Sequence, residues 1–172
     1  MDGKGNDIGR VFVARDITEL KKKEKVIADE KAYNEHILAH IADGLCVVDN
    51  DANWLTVNPA MVRITGFSES ELLGKKSLDQ PFWQLPEAKE AARQMWERVE
   101  GGETVTGIEM PWVRKDGERI IVSCSEQLLM DGKGNDIGRV FVARDITEER
   151  ERKKELTRAV SAFAEILSEA AK

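Results

Sequence analysis

Residues Met1–Glu19, MDGKGNDIGRVFVARDITE, recur letter for letter as Met130–Glu148. Chance does not produce an identity of that length. From Met1 to Met130 the offset is too long for a solenoid, whose units run about 20–50 residues, and it matches one small domain plus a linker. The spacing predicts tandem copies of one domain in the parent protein. On this reading residues 1–19 are the orphan terminal strand of a preceding copy and 20–41 are a linker helix. Residues 42–148 are a complete domain, and 149–172 form a C-terminal helix.

The repeat also contains a turn. Asp131-Gly132 and Gly134-Asn135 tolerate positive φ and have apolar runs on both sides, which predicts a hairpin between strands Ile120–Met130 and Ile137–Ile146. Alternation puts Ile120, Val122 and Cys124 on one face and Ile121, Ser123 and Ser125 on the other. Thr104–Val113 alternates in the same way through Ile108, Met110 and Trp112, and Lys115-Asp116-Gly117 turns it into the next strand. Upstream, Leu45–Val48 and Trp54–Val57 read as short strands around Asp49, Asn50, Asp51 and Asn53. Asn58-Pro59 opens a short helix that Gly66 stops, and Ser68 with Glu71 is a capping box. Pro86 begins a longer helix that Gly101-Gly102 ends. Two strands, then helices, then three strands is an α+β arrangement.

Composition narrows the function. With 26 Lys+Arg against 32 Asp+Glu the chain carries −6, so it lacks the positive field that nucleic acid binding needs. No apolar run approaches the ~20 residues of a membrane span, and the first ten residues have no signal-peptide core. Cys46 and Cys124 stand singly in strand-like runs, the pattern of buried reduced thiols in a cytoplasmic protein. At the C-terminus Leu156, Val160, Phe163, Leu167 and Ala170 are spaced 4, 3, 4 and 3 apart, a heptad-like seam about two heptads long. It predicts a homodimer through the flanking helices. A phosphate-binding glycine loop is absent from the sequence, and Gly132-Lys133-Gly134 is a hairpin tip, so an enzyme is not expected.

Gly44-Leu-Cys-Val-Val-Asp49, Val57-Asn-Pro-Ala60, Ile64-Thr-Gly-Phe67, Trp112-Val-Arg-Lys-Asp-Gly117 and Asp145-Ile-Thr-Glu148 occur in order. Together they resemble a PAS sensor domain over about Ile37–Glu148. The resemblance implies a five-stranded antiparallel sheet with short helices over one face and a ligand cavity between them. It also implies a signal junction at Asp145, Ile146 and Thr147, with Arg114 as the basic partner of Asp145. An Asp and a Thr at such a switch can cap the new helix and fix its angle.

Pocket candidates on this reading are Phe67, Phe82, Trp83, Met95, Trp96, Ile108, Trp112 and Ile121. They suit an apolar or small organic ligand, and equally a packed core. No cofactor is identified: the flavin-linking Cys motif of some relatives is missing, and the long helix offers no haem-ligating His. His36 and His40 are four apart on the linker helix without a third metal ligand, so no metal is expected. Nor does a phosphoacceptor His follow the second repeat. The output, of histidine kinase or chemoreceptor type, is therefore expected outside this chain. Two readings follow: a sensory module that passes a ligand, redox or cofactor signal to that output without direct membrane contact, or a ligand-free PAS spacer and dimerisation module.

Overall fold

The computed structural model describes residues 15–170, with the side chain of Ala170 left out. Up to Ala14 the expected orphan strand lies outside the described residues. Two units are present, one ending at Ile37 and one beginning at Leu38. Helix α1, Thr18–His40, begins in the first and ends in the second, close to the predicted linker helix.

In the second unit the strands are β1 (Gly44–Val48), β2 (Trp54–Val57), β3 (Val105–Val113), β4 (Arg119–Met130) and β5 (Asp136–Asp145). They form one antiparallel sheet in the order β2-β1-β5-β4-β3. The last strand is therefore the middle one. Between β2 and β3 the chain forms α2 (Pro59–Thr65), α3 (Glu69–Leu72), a 3-10 turn (Ser77–Asp79) and α4 (Pro86–Glu100). The turn at 77–79 is an element that the sequence pattern did not reveal. Helix α5, Thr147–Ala170, follows β5 after a single residue.

Strand alternation decides which face is covered. Cys46 and Val48, Ile120, Val122 and Cys124, and Phe141 and Ala143 are buried, while their strand neighbours are half-buried or exposed. The helices supply Met61, Leu72, Ala88, Ala92, Met95 and Val99 to the same core. Its centre is aromatic. Phe82 lies 4.2 Å from Trp112 and 4.8 Å from Trp83 between ring centroids, and Trp54 and Phe141 extend the group at 5.7 Å and 6.1 Å.

Asn58 joins the helices to the sheet. It caps α2 by accepting from Met61 N at 3.0 Å, and the same Oδ1 accepts from Leu45 N of β1 at 2.9 Å. Its amide donates to Asp43 O at 2.9 Å. Because Asn58 is buried, Asn58→Ala strands these groups away from water. We expect a loss of about 2 kcal/mol in urea denaturation; an unchanged midpoint would show that water replaces the amide.

Candidate functional site

Two places combine chemistry with position. The first is the corner where β5 becomes α5. Asp145 Oδ1 accepts from Thr147 N at 3.0 Å and from Thr147 Oγ1 at 2.6 Å, which satisfies an orphan donor of the first helical turn. Asp145 Oδ2 accepts from Arg114 Nη2 at 2.6 Å. Thr147 Oγ1 accepts from Ile121 N of β4 at 2.9 Å, and Ile146 N donates to Ile121 O at the same distance. The four junction residues Arg114, Asp145, Ile146 and Thr147 are thus brought together, with β4 as a further party. Partial burial pushes the Asp145 carboxyl up, but the bonds from Thr147 and Arg114 outweigh it, so it ionises below its ordinary value. Beside this corner Arg144 holds Asp43 through Nε at 2.9 Å and Nη2 at 2.8 Å, and Arg150 of α5 reaches Glu109 of β3.

The cap is encoded locally. In the first copy of the repeat Thr18 N donates to Asp16 Oδ1 at 2.8 Å and α1 starts at Thr18, as α5 starts at Thr147.

The second place is a cavity of about 20 Å³ under α4, about what one water molecule requires. Val48, Trp54, Leu78, Trp83, Met95, Trp96 and Phe141 make most of its wall, with Ser77 and Glu126 as polar members. Of the eight pocket candidates Trp83, Met95 and Trp96 line it. Phe82 and Trp112 instead fill the core, while Phe67 and Ile108 pack at its margin, Phe67 beneath the Lys115 ammonium at 5.9 Å. Ile121 corrects the expectation. Alternation turns it to the opposite face from Ile120 and Val122, where its backbone serves the junction.

Glu126 and Arg139 were missed. Each is only 4% exposed. The signal was available in strand parity, since Glu126 shares a face with Val122 and Cys124, and Arg139 with Phe141 and Ala143. The Arg139 guanidinium lies 3.6 Å from the Trp96 ring centroid, and its Nη2 is 3.4 Å from Glu100 Oε1 on α4. Burial pushes the Glu126 carboxyl up to about 7, with the Arg139 charge holding it back. Cys46 and Cys124 are free and buried, and burial raises both thiols.

The profile of the PAS fold matches residues 32–146. The chain belongs to the PAS family. The chain is 24% identical over 135 residues to the signal transduction histidine-protein kinase AtoS of Escherichia coli K12, covering 78% of this chain and 21% of that protein. The chain thus spans about a fifth of this curated relative. Among solved structures, the PAS domain of an HTR-like protein from Haloarcula marismortui shares the fold at TM-score 0.59 and 22% identity, over 73% of this chain and 99% of that one. An RNA-binding light-oxygen-voltage receptor does so at TM-score 0.61 and 21% identity, over 78% and 38%. Among the described residues no helix is long and apolar enough to cross a membrane.

Proposed function

We propose that this PAS domain is a sensory module that passes a change in its interior through α5 to an output domain outside the chain. The likeness to AtoS supports an output of histidine-kinase type. The observation that carries the reading is the corner at Asp145, where one carboxylate is bonded to the first turn of α5 and to Arg114 at the end of β3. A shift of the sheet at either β3 or β4 alters the start of the helix, because Thr147 is tied to Ile121 as well. The module itself transmits and does not catalyse. Two free buried thiols fit a reducing, cytoplasmic setting.

Leu156, Val160, Phe163 and Leu167 are each more than half exposed along α5. This seam suits the same helix of a second copy, which would hide it from water and align two outputs. Chain copies carrying the tandem repeat would then stack domain and helix alternately.

Asp145→Ala should speed amide exchange in the first turn of α5 and cost about 1–2 kcal/mol, the worth of a cap plus a half-buried pair. Grafted through α5 onto a histidine-kinase core, it should also change autophosphorylation relative to the wild-type graft. Equal activity would overturn the sensory reading in favour of a spacer and dimerisation module. That second reading draws on the small size of the cavity, and native mass spectrometry separates the two: a bound mass supports sensing, a ligand-free dimer the spacer.

A further inference from the structure

Helix α1 has ends of two different kinds. It starts on Arg15-Asp16-Ile17-Thr18, the same letters as Arg144-Asp145-Ile146-Thr147 before α5, and with the same bond from the Thr amide to the Asp carboxylate. By its start it is built like a helix that leaves a sheet. By its end it enters one, since its last residues, 38–40, belong to the second unit and β1 begins at Gly44.

The carbonyls of a last helical turn have no donor within the helix. Asn58 supplies one. Its amide donates to Leu38 O at 3.3 Å and to Asp43 O at 2.9 Å, while its Oδ1 accepts from Leu45 N at 2.9 Å. One buried side chain thus fixes the end of α1, the connection after it and the start of β1. The Asp43 carboxylate in turn accepts from Arg144 Nε at 2.9 Å and from Arg144 Nη2 at 2.8 Å, a two-pronged pair. Beside them Gly44 and Ala143 are partners in the β1–β5 ladder. Arg144 directly precedes Asp145, whose carboxylate caps α5. The end of α1 and the start of α5 are therefore joined through Asn58, Asp43 and Arg144, apart from the wall of the cavity under α4.

We propose that the connection 38–44 is a second input site of the domain, worked by the incoming helix: a change in α1 reaches the cap of α5 through Asn58 and the Asp43–Arg144 pair. The domain then adds the state of its own interior to whatever arrives from a domain before it. Coupling requires two sites and an element with two states. The sites are the end of α1 and the cap at Asp145, and the element is the first turn of α5, which opens and closes locally. Arg144 is 65% exposed, so the pair carries a few-fold change in that opening and not orders of magnitude.

The proposal rests on α5 as the output helix, yet it is read in the full chain with no output domain attached, so its failure leaves the Asp145 graft as the test of that reading. The readout is amide exchange, resolved by NMR, at Thr147 and Arg150, whose N–H groups donate to Asp145 Oδ1 at 3.0 Å and to Ile146 O at 2.9 Å. Ala32→Pro interrupts α1 at an exposed position, and the remainder up to His40 is too short to hold a helix unaided. It should speed exchange at both amides about threefold or more, and leave β3 and the middle of β4 unchanged. With the route cut by Asp43→Ala, Ala32→Pro should add less than about 1.5-fold at the same amides. Arg144→Ala, which cuts it from the other side, should do the same. An unchanged α5 in Ala32→Pro would overturn the proposal, as would an equal response with and without the Asp43–Arg144 pair. So would a uniform rise across the sheet, which marks lost stability of the whole domain and not a route.

Discussion

Gly138→Val should cost at least about 3 kcal/mol or abolish folding, the largest effect of any single substitution proposed for this domain. Gly138 sits in β5 with φ +139, a backbone conformation that side-chain-bearing residues rarely adopt. Space is the stronger objection. A Cβ there would lie 2.2 Å from Val48 O and 3.2 Å from Val48 C, and both are backbone atoms of β1 that cannot rotate aside. The strand would have to part from its neighbour at the centre of the sheet. Gly134→Ala is the control: its φ is +83 but nothing lies within 4 Å of the new Cβ, so it carries strain without collision and should cost about 1 kcal/mol. Urea midpoints of the two variants separate the effects. Similar small losses for both would mean that β1 and β5 approach less closely than the structure indicates.

The second large effect is a dependence of stability on pH set by Glu126. Its carboxyl titrates near 7 in the folded domain because burial opposes the charge, against an ordinary value of 4.5. The folded state therefore holds a proton that the unfolded chain has already released. The resulting stability is full below about pH 4.5, declines as pH rises through that window, and is gone once pH has passed the folded value near 7. The difference amounts to about 3 kcal/mol. Groups facing Glu126 are Arg139 on β5 and the thiols Cys46 on β1 and Cys124 on β4, with Glu100 of α4 behind Arg139. Burial raises both thiols, which stay neutral and supply no competing step near neutrality. Glu126→Gln should flatten the profile between pH 5 and pH 8 and leave the variant more stable than wild type at pH 8. An unchanged slope would assign the pH dependence to another group.

Strand positions and most helix boundaries were legible because the determinants are local. Asn58-Pro59, the Ser68 and Glu71 pair and the Gly101-Gly102 stop act within a few residues, and the structure places α2, α3 and α4 at these signals. The junction was legible for the same reason: the Asp-x-Thr cap forms at Asp16 just as it forms at Asp145. What was not legible depends on contacts distant in sequence. The 3-10 turn at 77–79 is fixed by Trp54, whose indole N–H donates to Ser77 Oγ at 3.1 Å, and by Ser77 N, which donates to Ala52 O at 2.8 Å. The resemblance and apolar character pointed to the pocket candidates but not to which of them would pack solidly and which would face space. Phe82 and Trp112 fill the core only because Phe141 and Trp54 arrive from other strands. Apolar character also drew attention away from the two ions on the inner face, although their strand parity marked them.

The central place of β5 governs how the domain can assemble as it is made. Gly44 of β1 pairs with Ala143 of β5, roughly a hundred residues later, so β1 and β2 must wait for nearly the whole domain before their open side is closed. Until Asp136–Asp145 leaves the ribosome, the sheet can form no more than two separate hairpins, β1–β2 and β3–β4, each marginal alone. A premature stop before Asp136 therefore yields no half-domain of use, only unjoined edges prone to aggregation, and α5 gains its anchored start in the same moment that the sheet becomes one piece.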